Sequence, residues 1–378
     1  MKLQMVDLQG QYYRVKVEID AAIQNTIQSA AYINGPAVAE FATELATYTG
    51  SRHVIPCANG TDALQLAMMA LGLKEGDEVI VPSFTYVATA EVIALLGLTP
   101  VFVDVDPTTF MISPEHVAAK ITPKTRAIVP VHLFGQCADM EPIMQIAREH
   151  QVHVIEDTAQ AIGATYTFSD GTTKHAGTMG TIGTTSFFPS KNLGCYGDGG
   201  AIFVQDEALA LRIKMIANHG QRVKYHHDIV GVNSRLDTLQ AAILRVKLKQ
   251  LDAYNTQRNK SAAFYDNALQ KYASISIPER SPSSTHVFHQ YTLVCHDFDR
   301  EELRDYLAQK GIPSMVYYPI PLHLQKAYSN YVYTKGDFPV SEMLSERVIS
   351  LPIHTEQEEE ELLYISDAVV EFITSKGL

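Results

Sequence analysis

One lysine stands where a reactive amine would be useful. An apolar run ends at Pro189-Ser190-Lys191, Gly194, Gly197, Asp198, Gly199 and Gly200 follow, and a second apolar run covers 201–204. Two strands joined by a glycine-rich loop fit this pattern, with Lys191 close to the end of the first. Glycines let other groups approach the backbone closely. A lysine held there, partly shielded from water, becomes a nucleophile toward carbonyls. The ordinary alternative is a solvated surface lysine.

Other residues carry compatible chemistry. Asn59-Gly60-Thr61-Asp62 lies between an apolar run at 54–58 and a helical pattern with Leu64, Met68 and Leu71 on one face. Such a start is an N-cap, or a seat where free N–H groups and a hydroxyl receive a phosphate. Asp157 closes the apolar run 152–156, with Gln160 three residues on. It either caps a following helix or places a carboxylate beside a protonated ring nitrogen. Tyr86, after Pro82-Ser-Phe-Thr, is a half-buried aromatic or a platform for a planar ring. Asn233 and Arg235 precede a helix; Arg235 is surface charge or a planar fork for a carboxylate or phosphate. Asp104-Val-Asp106 has the look of a metal pair, but Pro107 follows at once and favours a turn.

The elements that must position these groups follow from periodicity. Residues 1–35 read as an N-terminal arm with one helix, ending in the turn residues Asn34-Gly-Pro36, and a helix is expected over 37–48. Strands at 78–82, 100–104, 126–130 and 152–156 alternate with helices near 88–96 and 140–150. The fold class is therefore α/β, a mostly parallel sheet with helices on both faces. Ligands of such sheets sit beyond the carboxyl ends of the strands, where Tyr86 and Asp157 fall. A helix over 207–218 and a long amphipathic helix from Leu236 come next. Near residue 255 the pattern changes to strands at 287–295 and 314–318, a helix over 299–310, a rigid loop at 319–323 and a last helix opened by a capping box at 355–358. The chain divides into an arm (1–35), a large domain (36–254) and a smaller α+β domain (255–378).

The 378 residues suffice for a sizeable core, and a formal net charge of −12 argues against nucleic-acid or anionic-membrane binding. No apolar run has the length of a signal peptide or a membrane span. Cys57, Cys137, Cys195 and Cys295 show no paired spacing, so they read as reduced thiols of a cytoplasmic protein and not as a metal or disulfide frame. His226-His227 reads as a polar loop, and no metal site is expected.

Six motifs fall in order: Asn59-Gly-Thr-Asp62, Pro82-Ser-Phe-Thr-Tyr86, Glu156-Asp-Thr-Ala-Gln160, Ser186-Phe-Phe-Pro-Ser-Lys191, Gly197-Asp-Gly-Gly-Ala201 and Asn233-Ser-Arg-Leu236. Together they resemble the DegT/DnrJ/EryC1/StrS family of pyridoxal-phosphate-dependent nucleotide-sugar aminotransferases. The resemblance implies the aspartate-aminotransferase fold and residue roles. Lys191 would bond the cofactor pyridoxal 5'-phosphate, Asp157 would pair with its ring nitrogen, and Gln160 would neighbour the ring hydroxyl. Tyr86 would stack on the ring, and Gly60, Thr61 and Ser186 would hold the phosphate. Asn233 would reach the phosphate of a neighbouring subunit, which implies a homodimer with shared active sites. The reaction implied is ping-pong transfer from an amino donor such as glutamate to a nucleotide-linked keto-sugar. Phe134-Gly-Gln-Cys-Ala-Asp139, Leu193-Gly-Cys-Tyr-Gly-Asp198, Gly220-Gln with Tyr225-His-His227, and 232–237 look most like enzymes that aminate C3 of a UDP-linked 2-acetamido-3-oxo-glucuronate. Arg235 and Tyr318 would then hold the acidic end of the sugar. Tyr317 departs from the histidine common before Tyr-Pro-Ile-Pro in relatives. A dTDP-3-keto-6-deoxyhexose or a 4-keto-sugar is the alternative acceptor.

Rival classes fit less well. Related sugar dehydratases replace the lysine by histidine, and a regulatory protein on this scaffold has no need to keep both Lys191 and Asp157. A Rossmann oxidoreductase needs Gly-x-Gly-x-x-Gly after an early strand, and Asn59-Gly-Thr-Asp-Ala63 lacks it.

Overall fold

The computed structural model describes residues 3–378; residues 1 and 2 of the arm lie outside the described residues. The arm holds two helices where one is expected. Helices α1 (Leu8–Arg14) and α2 (Lys16–Ser29) are broken by the non-helical Val15, and Asp7 caps the first by accepting from the Gly10 N–H. Helix α3 (Pro36–Thr49) has proline in its first turn and ends at Gly50, φ +73°.

Seven strands form the main sheet: β1 (His53–Cys57), β2 (Glu78–Pro82), β3 (Thr99–Val103), β4 (Thr125–Ile128), β5 (His153–Asp157), β8 (Ile182–Ser186) and β9 (Gly200–Val204). A small hairpin, β6 (Thr165–Thr167) with β7 (Thr173–His175), lies between β5 and β8. The sheet order is β1-β9-β8-β5-β4-β2-β3. Only β9 runs against its neighbours; the other pairings are parallel. The strands are largely buried on both faces because helices cover both, as parallel sheets require. Helices α4 (Gly60–Leu71), α5 (Ala88–Leu95), α6 (Pro114–Lys120), α7 (Met140–His150) and α8 (Glu207–Ala217) supply that cover. Helix α4 is buried nearly all round, through Ala63, Leu64, Leu66, Ala67, Met68 and Ala70. Helix α6 is absent from the periodicity because it is two turns long, although Ser113 as N-cap and Pro114 behind it are start signals.

An exposed hairpin, β10 (Gln221–Val223) with β11 (His226–His227), holds the paired histidines; His227 Nδ1 lies 2.8 Å from the His219 carbonyl. The expected long helix is two, α9 (Thr238–Leu248) and α10 (Leu251–Leu269). Leu251 packs with Phe187 and Leu193, while Ala262, Tyr265 and Leu269 pack with the C-terminal elements. The boundary read at 254/255 thus falls inside one helix that spans two cores.

The C-terminal sheet is antiparallel: β12 (Ile275–Ser276), β13 (Tyr291–Cys295) and β14 (Val348–Leu351). It is flanked by α11 (Arg300–Gln309), α12 (Pro339–Arg347) and α13 (Glu359–Ser375). Three expectations are corrected here. The strand expected from 287 begins at Tyr291, because 287–290 instead bonds the loop at Phe134 and Gly135. No strand forms at 314–318; Met315 makes one bridge to Ser350, and β14 occupies the ladder beside β13. The capping box lies one turn later than read, between Glu358 and Glu361. Among the described residues, no helix is long and apolar enough to cross a membrane.

Candidate active site

The carboxyl ends of β1, β8 and β5 open on one edge of the sheet, and the chemistry-bearing residues stand there. Gly60 is the first residue of α4, capped by Asn59, whose side chain accepts from the Asp62 N–H at 2.8 Å. The capping and the phosphate-seat readings of this motif are therefore compatible: Asn59 takes one N–H and leaves the first turn free for an anion. A Cβ on Gly60 would come within 2.7 Å of Ser186 Cβ, so the helix start presses directly on the end of β8. Gly200, where β9 begins, would bring a Cβ within 2.4 Å of the Asn59 carbonyl. The loop glycines thus serve close passage of backbone: Gly194 against Pro189 and Gly200 against Asn59. Lys191 lies at the turn leaving β8, its N–H bonded to the Phe188 carbonyl at 2.8 Å, and is half-buried.

Asp157 is the last residue of β5 and is buried. No helix follows it, so the helix-cap reading is corrected. Its Oδ1 accepts from the Ala159 N–H at 3.0 Å, and Oδ2 accepts from the Thr89 hydroxyl at 3.2 Å. Burial raises its pKa, against the opposing pull of these bonds and of the charge on Lys191. Burial also lowers the Lys191 ammonium, to about 8, although Asp157 acts to raise it. Each group leans toward its neutral form because desolvation outweighs their mutual attraction. A cation brought against Asp157 would reverse its shift.

Gln160 is tied at both ends. Its Oε1 accepts from the Phe134 N–H at 2.8 Å and its Nε2 donates to the Tyr318 hydroxyl at 3.0 Å. The Tyr318 ring lies 6.3 Å from Phe84, 6.1 Å from Tyr86 and 5.9 Å from Tyr317. Tyr86 is 55 % exposed, leaving its ring available to a stacked partner. Arg235 is half-buried, between the buried Ser234 and Leu236, and Asn233 is exposed. Asp104 and Asp106 do not converge on a metal: Asp106 closes a turn by accepting from Thr108 and Thr109, and Asp104 caps α12 by accepting from the Val340 and Ser341 N–H groups.

The comparisons with known proteins agree with this geometry. The model of the DegT/DnrJ/EryC1/StrS aminotransferase family matches residues 14–370. The chain belongs to this family. It is 48 % identical, over 93 % of its length and 95 % of the relative's, to the UDP-2-acetamido-2-deoxy-3-oxo-D-glucuronate aminotransferase of Pseudomonas aeruginosa. It is 45 % identical, over 98 % and 99 %, to a pleiotropic regulatory protein of Geobacillus stearothermophilus. The solved structure of DesV from Streptomyces venezuelae superposes with a TM-score of 0.94 at 40 % identity, covering 98 % of each chain. A Bacillus subtilis structure with bound cofactor PMP gives 0.86 at 33 % identity, covering 94 % of this chain and 81 % of that one. The chain is a pyridoxal-phosphate-dependent sugar aminotransferase with the α/β fold of that family.

The residues present fit pyridoxal phosphate. The Gly60–Ser186 cradle has no room for a Cβ, and the buried Asp157 carboxylate calls for a cationic partner. Several supporting residues escape sequence reasoning. Thr89 bonds Asp157 from 68 positions away. Ser234 accepts from the Ala58 N–H at 3.1 Å and so fixes the loop ahead of the seat. Asn192 Nδ2 donates to Asn255 Oδ1 at 2.8 Å and to the Val287 carbonyl at 2.9 Å, anchoring the lysine loop to the C-terminal part. Behind Asp157, the fully buried Glu156 accepts from the Gly177 and Met179 N–H groups and from His132 Nε2 at 2.9 Å. His132 Nδ1 accepts from the Ala138 N–H, which fixes the tautomer. Glu156 and Ser234 stand inside the recognised motifs, a signal that could have flagged them; Thr89 and Asn255 carry none.

Proposed function

We propose that this aminotransferase moves the amino group of L-glutamate to C3 of UDP-2-acetamido-2-deoxy-3-oxo-glucuronate, in the cytoplasm, for cell-surface polysaccharide or lipopolysaccharide synthesis. The observation that carries the acceptor is the 48 % identity to the P. aeruginosa enzyme across nearly both chains. The 40 % identity to the dTDP-3-amino-3,4,6-trideoxy-alpha-D-glucose transaminase of Streptomyces venezuelae keeps the dTDP-3-keto-6-deoxyhexose reading as the second.

In this reading Gly60, Thr61 and Ser186 hold the cofactor phosphate at the start of α4, and Tyr86 faces the ring. When bound, the cofactor supplies an electron-accepting ring that makes the donor's Cα–H acidic. Asp157 holds a proton on the ring nitrogen by its buried negative charge. Lys191 would bond the cofactor, and its Nζ is the group that would hold and move the Cα proton. A pKa near 8 leaves a useful fraction of that amine neutral. Gln160, braced by Phe134, faces the ring hydroxyl. Arg235 and Tyr318 receive the acidic end of the sugar, Arg235 as a fork and Tyr318 through its hydroxyl. Asn233 of one protomer reaches the phosphate of the next in a homodimer, in keeping with its exposed position.

The test is a panel of nucleotide-linked 3-amino sugars run in reverse with 2-oxoglutarate, followed by glutamate formation. The UDP-linked 3-amino uronate is expected to give the highest kcat/KM. Preference for a sugar without a carboxylate would refute the uronate reading.

A further inference from the structure

Ser83, His323 and Glu342 form a buried chain that the chemistry above does not use. Ser83 Oγ lies 2.7 Å from His323 Nδ1, and His323 Nε2 lies 3.1 Å from Glu342 Oε1. Ser83 is fully buried and His323 nearly so, so this is no nucleophile open to substrate. The Glu342 carboxylate can only accept, which puts the imidazole proton on Nε2 and leaves Nδ1 to accept from the Ser83 hydroxyl. The Ser83 carbonyl also accepts from the Leu322 N–H at 2.8 Å. The Phe338 ring packs edge-on 4.7 Å from the imidazole.

This anchor sits at one end of a short strut. Pro319-Ile320-Pro321-Leu322-His323 contains two prolines with fixed φ, which leaves little freedom between His323 and Tyr318. Ser83, directly after β2, grips the far end of the strut, while its neighbour Phe84 packs against Tyr318 at the near end. No ladder holds the 316–321 segment, which is placed between the Met315–Ser350 bridge on one side and the bonds to Ser83 on the other.

We propose that the Ser83–His323–Glu342 chain is the positioning device for Tyr318, and through it a determinant of how the sugar, not the amino acid, is handled. The inference rests on the assignment of Tyr318 to the sugar side. The amino-acid side is spared because Gln160, the group Tyr318 touches nearest the cofactor, has its own anchor on Phe134.

The two half-reactions are read separately in single turnover on the holoenzyme. One uses L-glutamate; the other uses whichever nucleotide-linked 3-amino sugar the unmodified enzyme turns over best, so failure of the uronate reading changes the probe and leaves the comparison of half-reactions intact. Ser83→Ala removes one oxygen with little change of volume, and His323→Ala removes the whole anchor. Both are expected to lower the amino-sugar rate constant per KM at least about tenfold, since displacements of an ångström cost up to ~10²-fold. Both are expected to leave the glutamate half-reaction within about threefold, a separation that general loosening does not produce. His323→Asn, which keeps an acceptor near the Nδ1 position, is expected to recover most of the loss. Equal losses in both half-reactions for Ser83→Ala, or no loss in either, would overturn the proposal, and Ser83→Ala alone decides between these outcomes if His323→Ala fails to fold.

Discussion

Asp157 and Ser186 close strands and Gly60 opens a helix, so backbone ladders hold them. Tyr318 has no ladder on either side; it is placed by Gln160, by packing on Phe84 and by a side-chain anchor five residues away. The groups proposed to face the cofactor thus inherit the rigidity of the sheet, while Tyr318, proposed to face the sugar, depends on a few long-range contacts. Ladders formed by many bonds are insensitive to any one substitution. An arrangement held by single side chains can change from relative to relative without disturbing the fold, which suits a cleft that must accept different sugars.

Substitutions on the two sides are expected to separate in size and kind. The largest effect falls on the cofactor side: Lys191→Ala loses transfer by about 10³-fold or more with the fold retained, measured as kcat beside circular dichroism. Near wild-type turnover would sink its assigned role. Asp157→Asn is expected to lower kcat by roughly 10²-fold, in the range seen when one strong charge-stabilising group is removed. It carries a second, opposite signature. Burial raises the Asp157 pKa, so ionising it costs stability in the cofactor-free fold once pH exceeds the unfolded value. The cofactor-free asparagine variant should therefore melt higher than the parent at neutral pH, and lower melting would contradict the desolvation argument.

Next in size is Gly60→Ala. Its Cβ meets Ser186 at 2.7 Å, so cofactor Kd by fluorescence titration should weaken by about tenfold, or ~1.4 kcal/mol, and an unchanged Kd would remove Gly60 from the seat. Tyr318→Phe is the smallest: the ring stays in place, so losing one hydrogen bond worth about 1 kcal/mol should reduce sugar turnover roughly fivefold, less than displacing the whole side chain through its anchor, and leave glutamate handling alone. A loss shared by both substrates would erase the contrast between the two sides.

The same contrast decides what the sequence discloses. Gly60, Thr61, Asp157, Ser186 and Lys191 stand in short motifs at element ends, where local chain order and place in the fold coincide, so the parallel sheet and the gathering of these residues at its edge are legible. The 314–318 segment has strand-like composition but forms no strand: Met315 makes one bridge to Ser350 on the edge of β14 away from β13, the run meets Pro319 soon after, and pairing is a tertiary choice. The single expected helix after Leu236 breaks at Lys249 and Gln250 through a local kink without proline or glycine, which leaves no mark in periodicity. Ser83 and His323 are 240 positions apart, and nothing in either neighbourhood announces the bond.

Every role assigned on the cofactor side depends on Lys191 being the lysine that bonds the cofactor. Lys247 provides an internal control: burial lowers its ammonium to about 8 as well, yet its neighbours are the Tyr196 ring at 5.3 Å, Cys195 and Arg258. Borohydride reduction of the holoenzyme followed by peptide mass mapping separates the two. The cofactor mass is expected on the peptide carrying Lys191 and nowhere else; the mass on the Lys247 peptide, or on neither, would contradict the assignment.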